Sequence, residues 1–171
     1  MADSQLALLV FDISDQTAAL PLVEVERIVP IAQLAHPPGS PSVIEGVLNL
    51  GGVAISVLRL DRLLGLPLRN PGLYSMVVLL KGGLIGEGTK GLVALLVDRV
   101  KEIRWVPQVA LLPVGEDDSF NGCSRAAVLV LGQPVHVLSS QRLLLAHEAR
   151  TLAEFQQIAQ QRLSDWEARP Q

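Results

Sequence analysis

Apolar residues along this chain come in short runs broken by small groups of glycine, proline, serine and acidic residues, a punctuation that belongs to strands rather than helices. Residues 7–13 and 18–29 predict a first hairpin around the polar Ser14-Asp15-Gln16. Residues 47–50 and 53–58 predict a second around Gly51-Gly52, a dipeptide that accepts the positive φ of a tight reversal. Residues 75–80 and 91–97 read as further strands, separated by 81–90, where four glycines and three charges predict a mobile exposed loop. Residues 106–114, with two prolines, and 115–121, with three acids, predict a long irregular connection. A last pair, 126–131 and 134–138, is joined by Gly132-Gln133, and short helical turns are expected after Leu60 and Ser140. Pro37-Pro38-Gly39-Ser40-Pro41 predicts a rigid surface connection, because three of its five residues lack an amide donor.

The pattern also repeats. Residues 19–28 (ALPLVEVERI) lie over 94–103 (ALLVDRVKEI) at an offset of 75, apolar on apolar at nearly every step. Residues 55–64 lie over 135–144 at an offset of 80, and the Arg-Leu-Leu ending recurs intact. Two blocks in the same order at similar offsets predict an internal duplication, so the many short strands predict an all-β fold of two small barrels.

The C-terminal stretch differs. From 141 to 167 there is no glycine or proline, and Leu145, Leu152, Phe155, Ala159, Leu163 and Trp166 fall within a narrow arc at 100° per residue. This predicts an amphipathic helix whose stripe packs either on its own barrels or on another subunit or partner; periodicity leaves both open. On the sequence alone, deletion beyond Ala146 is expected to leave the barrels folded.

Composition narrows the function. With 171 residues and 49% hydrophobic content the chain holds one compact domain or two small ones, and intrinsic disorder is excluded. A net charge of −3 leaves no basic footprint for phosphate, so no nucleic-acid partner is expected. The apolar runs are too short to span a bilayer, so no membrane insertion is expected. A single cysteine, Cys123, and an N-terminus without a basic, then apolar leader predict a cytoplasmic location.

Catalytic equipment is sparse. His36, His136 and His147 are scattered without metal-ligand spacing, Cys123 has no base beside it in the sequence, and Glu116-Asp117-Asp118 are consecutive residues that diverge in a loop. Gly82-Gly83 and Gly86-x-Gly88 lack the context of a phosphate loop. No catalytic residue, metal or cofactor is implied, and the activity this leaves is contact.

The order Val10-Phe11-Asp12-Ile13, Ala19-Leu20-Pro21-Leu22, Val25-x-x-Ile28 and Pro37-Pro38, followed by Ile44-Glu45-Gly46-Val47-Leu48-Asn49-Leu50-Gly51-Gly52, resembles the CheW-like coupling proteins of bacterial chemotaxis. The resemblance continues through Ile55–Leu60, Leu64-Gly65-Leu66, the Val97-Asp98-x-Val100 strand and 135–144, covering roughly residues 6–145. It implies two five-stranded SH3-like barrels over residues 1–145, intertwined and lying roughly at 15–70 and 71–145, followed by a helical extension at 146–171. It also implies a non-enzymatic adaptor linking a chemoreceptor's cytoplasmic tip to the regulatory domain of a histidine kinase. The receptor groove would be formed by Val25, Arg27, Ile28, Val47, Asn49, Leu50, Gly51 and Gly52; outside the resemblance, the tail residues Leu152, Phe155, Leu163 and Trp166 would form a partner surface if the helix stripe docks on a partner. Three positions depart from the family: Gly51 stands where an arginine is usual, Arg27 where glutamate is common, and Ser56 where proline is expected. These departures and the extra helix point toward surface or pilus-based motility as the output. Gly51→Arg is expected to keep stability only if residue 51 is exposed with negative φ. Two other readings stand beside the adaptor: a small-molecule-binding or enzymatic barrel using the inter-barrel cleft with Asn49, Arg27 or His36, and a purely structural domain.

Overall fold

Proline sets the first architectural decision. The run 18–29 is not one strand: Pro21 ends it, a 3-10 turn at Leu22–Glu24 turns the chain, and a new strand begins at Val25. The computed structural model describes residues 4–31, 34–81, 93–115, 120, 122–143 and 146–169. The expected loop at 81–90, save Lys81, the acidic run at 116–118 and Leu145 lie outside them.

Among the described residues, ten strands and two α-helices follow in order. They are β1 (Gln5–Ile13), β2 (Gln16–Pro21), β3 (Val25–Pro30), β4 (Ile44–Leu50), β5 (Val53–Arg59), α1 (Leu60–Leu63), β6 (Met76–Leu80), β7 (Val93–Val97), β8 (Arg99–Pro107), β9 (Ser124–Val130), β10 (Gln133–Leu138) and α2 (Ala146–Glu167). One sheet has the order β8-β1-β2-β10-β9 and the other β3-β6-β7-β5-β4. Advancing every strand of the first repeat by five converts one order into the other, so the duplication read at offsets 75 and 80 is present in three dimensions.

The register repeats as well. Val57 pairs with Ala94 in the parallel β5–β7 ladder, and Val137 pairs with Ala19 in the parallel β10–β2 ladder. These are equivalent pairs under the two offsets. The segments that match at offset 75 are the two crossovers: β2 leaves one sheet for β3 in the other, and β7 leaves the second for β8 in the first. Each repeat therefore places two strands in one sheet and three in its partner, and neither sheet coincides with 15–70 or 71–145: β6 and β7 sit with β3–β5.

That exchange explains the unbroken apolar runs. In β1, Leu8 and Val10 face the interior of their own sheet with Val128, Val135 and Val137, while Leu9, Phe11 and Ile13 face a core shared by both sheets. In β7, Ala94 and Leu96 point inward with Ile55 and Val57, while Val93, Leu95 and Val97 join the shared core. A strand buried on both faces has no polar alternation to show.

Four details depart from the sequence expectation. β8 continues through Pro107 where an irregular connection was expected from 106; its charged Arg-x-Lys-Glu-x-Arg sequence suits an edge strand exposed along most of its length. The β9–β10 reversal is Leu131-Gly132, with φ of 50° and 78°, rather than Gly132-Gln133. Helix α2 begins at Ala146, because the chain first makes a 3-10 turn at Ser140–Arg142. Finally, Leu152, Phe155 and Ala159 of α2 are buried in the shared core, so of the two readings left open the helix packs on its own barrels, which departs from the expectation that the chain beyond Ala146 can be deleted with the barrels left folded.

Truncation beyond Ala146 therefore uncovers core surface, and we expect the truncated chain to aggregate or melt well below the full chain in thermal unfolding. Phe155→Ala should cost about 3–5 kcal/mol in urea denaturation; a loss under about 1 kcal/mol would show that α2 adds little to the core.

Candidate partner-binding surface

The β4–β5 reversal is a two-residue turn with Gly51 at φ 61° and Gly52 at φ 87°, the mirror-image geometry that matches the twist of a hairpin. Asn49 closes it: its Oδ1 accepts a hydrogen bond from the Gly52 amide at 2.9 Å. The condition of a negative φ at 51 is thus not met, and a side chain there carries left-handed backbone strain of about 1 kcal/mol. Space is no obstacle, since nothing lies within 4 Å of a Cβ built on Gly51. Its repeat equivalent, Leu131, carries a side chain at φ 50°.

On the other flank of β4, Val47 and Ala35 exchange two backbone hydrogen bonds of 2.8 and 2.9 Å, drawing the proline-rich connection onto the strand. Gly46 permits this approach: a Cβ there would stand 2.8 Å from the Ala35 carbonyl oxygen and from the Leu34 Cβ.

Helix α2 crosses the far side of β5. The β5–β7 ladder begins only at Ser56, and α2 supplies partners for the backbone before it. Gln160 accepts from the Ala54 amide at 2.8 Å and donates to the Gly52 carbonyl at 3.1 Å, while Gln156 donates to the Ala54 carbonyl at 3.4 Å. The Glu167 carboxylate lies 3.4 Å from where a Gly52 Cβ would stand. Between α2, β4 and the proline-rich connection opens an apolar cleft of about 400 Å³, with His36, Pro37, Asn49, Arg162, Leu163 and Trp166 among its walls.

The predicted site residues are thereby sorted. Val25 and Ile28 lie on β3 and are half-buried against the shared core, and Arg27 is exposed beside them. Val47, Asn49, Leu50, Gly51 and Gly52 belong to β4 and its turn, at the opposite edge of the same sheet. Val47 is buried, and Leu50 packs against the interior of that sheet. Of the tail residues, Leu152 and Phe155 are core, Leu163 is half-buried and Trp166 is 70% exposed. His36 and Asn49 meet in one cleft, whose walls do not include Arg27. Sequence reasoning missed Ala35 and Arg162; the available signal for Arg162 was its position one turn before Trp166 on the same flank of the helix.

Polar groups elsewhere hold the scaffold. Ser124 Oγ lies 2.9 Å from His136 Nδ1, but Ser124 is only 2% exposed, so this pair ties β9 to β10 rather than presenting a nucleophile. Arg59 reaches Glu45 at 2.8 Å and both oxygens of Asp61 at 2.9 and 3.3 Å, and it also donates to the Arg69 carbonyl at 2.7 Å. Burial acts to raise the Asp61 carboxyl, which is 4% exposed, but the Arg59 fork and the Arg69 and Arg62 amides outweigh it and hold the group below the ordinary carboxylate range. Asp98 goes the other way: burial pushes it up, only partly offset by the Ser14 amide at 2.7 Å.

The class of molecule is now defined: a duplicated, strand-exchanged β body whose notable surfaces are a sheet edge, a glycine turn and an apolar cleft. The family model of the CheW-like domain matches residues 7–148, and the chain belongs to that family. Among solved structures it is similar to the scaffolding protein TtCheW from Thermoanaerobacter tengcongensis, at 19% identity and a TM-score of 0.74, over 84% of this chain and 90% of that one. No curated protein matches it. Most of α2 lies beyond the family match.

Because the folded Asp61 is more acidic than the unfolded one, its stabilisation is fully present above about pH 4 and is lost as pH falls through the lower folded value. We therefore expect Asp61→Asn to be less stable than the parent at neutral pH, with the gap closing below about pH 4. A gap that stays constant down to pH 2 would contradict the role given to the Arg59 cluster.

Proposed function

We propose that the protein is a non-enzymatic adaptor of a bacterial chemosensory system, coupling the cytoplasmic tip of a chemoreceptor to the regulatory domain of a histidine kinase. Membership of the CheW-like domain family carries this reading. Supporting it, the interior is filled with aliphatic side chains on both faces of the central strands, leaving the outer edges and turns as the places where chemistry is available. Those places offer backbone edges and apolar side chains, which suit protein contact.

Within this reading β3, with Val25, Arg27 and Ile28, and the turn Asn49-Leu50-Gly51-Gly52 are two separate contact elements, because they occupy opposite edges of one sheet. Val47 acts beneath the surface by fixing the proline-rich connection. Arg27 is exposed and has no carboxylate paired with it among the described residues, so its charge is available to a partner. The protein works where its partners are, in the cytoplasm.

Titration of the folded chain with the cognate kinase's regulatory domain should give saturable binding at or below tens of micromolar, and Arg27→Glu should change the affinity for one partner, kinase or receptor tip, more than for the other. Absence of binding to both partners at these concentrations would contradict the adaptor reading.

A further inference from the structure

The outer flank of α2 carries a stripe that neither the core nor the family match uses. Ile158, Arg162 and Trp166 follow one another at four-residue spacing on one side of the helix, and Arg169 continues the line just past its end. Ile158 is 50% and Trp166 70% exposed, and the Arg169 guanidinium lies 5.8 Å from the centre of the Trp166 ring. From Ile158 to Arg169 the stripe runs about 16 Å, three helical turns.

Both ionisable side chains of the stripe itself, Arg162 and Arg169, are cationic although the chain as a whole is net −3; the Glu167 carboxylate lies toward Gly52. Among the described residues, none that lines the adjoining cleft is acidic. Arg162 has no ion pair or hydrogen bond among the described residues. Asp165, the carboxylate one turn on, accepts from Gln161 at 2.8 Å instead. Asn49 spends its oxygen on the Gly52 amide, which leaves its NH₂ as a donor at the cleft. An apolar slot whose described lining carries the Arg162 guanidinium and the Asn49 NH₂ but no carboxylate selects an apolar group beside an anion.

We propose that this flank of α2 and the cleft beside it form a docking groove for an acidic amphipathic helix of a partner protein. An apolar side chain of that helix enters the cleft between Trp166 and Pro37, and carboxylates on its flank meet Arg162 and Arg169. A helix fits better than an anionic membrane surface, because the slot is concave and the net negative charge of the protein opposes approach to a bilayer. The inference rests on the adaptor reading only in taking the occupant to be a protein. It makes α2 a determinant of partner choice supplied from beyond the residues that the family model matches.

The test uses a synthetic helical peptide of about 16 residues with leucines at i, i+3, i+4 and i+7 and glutamates on both flanks, beside a twin with lysines in their place. Trp166 fluorescence is read in the full chain carrying Trp105→Phe. The acidic peptide should bind saturably, and the lysine twin roughly tenfold more weakly at low salt. Arg162→Glu should invert that preference while its thermal unfolding stays at the parent value, and Trp166→Ala, read by calorimetry, should weaken the acidic peptide. Equal binding of the two peptides, an unchanged preference in Arg162→Glu, or binding of anionic phosphatidylglycerol vesicles in place of the peptide would overturn the groove. Kinase or receptor binding without a peptide preference defeats only this inference; a peptide preference without kinase or receptor binding defeats only the adaptor reading.

Discussion

The structure depends on burial of the central strands from both sides. Leu8 and Val10 fill one sheet's interior while Leu9, Phe11 and Ile13, alternating with them, fill the space between the sheets. No single five-stranded unit satisfies such a strand, because its outward face would lie in water. Exchange of strands between the repeats solves this: the crossovers at Leu22–Glu24 and Asp98 carry each repeat from one sheet into the other, and the two outward faces close on each other. The shared core that results extends under α2, which adds Leu152, Phe155 and Ala159. Burial of side chains of this size contributes about 1.5–3 kcal/mol for each large one, which outweighs any single polar contact at the surface.

Much of this was legible in the residues, and the limits have physical causes. Hairpins announced themselves where turn chemistry is local, at Ser14-Asp15 and Gly51-Gly52. The duplication was legible because it is written in the crossover segments themselves, where both repeats must turn between sheets. What the sequence did not show was that 18–29 bends: Leu20, Leu22 and Val23 form an unbroken apolar run, and only Pro21 marks the change of sheet. Likewise β8 carries charges along an exposed edge, so it lacks the apolar signature that exposed its neighbours.

The contact surface was less legible than the fold. Sequence pattern cannot distinguish an apolar residue that seals a core from one left at the surface, and the tail contains both kinds: Phe155 is buried whereas Trp166 is exposed. Asn49 illustrates a second limit. It sits in the most family-specific stretch, yet its oxygen holds the turn, which leaves only its NH₂ for any other contact. The sheet order also separates residues that lie in one expected groove, placing Arg27 and Gly51 at opposite edges.

Strand exchange and a common core require the two sheets and α2 to lose structure together. Native-state hydrogen exchange across β1, β7 and α2 tests this most directly. The account predicts that the slowest amides of all three elements exchange with the same opening free energy, equal to that of global unfolding. Protection in α2 or in either sheet that ends several kcal/mol below the others would show independent units and contradict it.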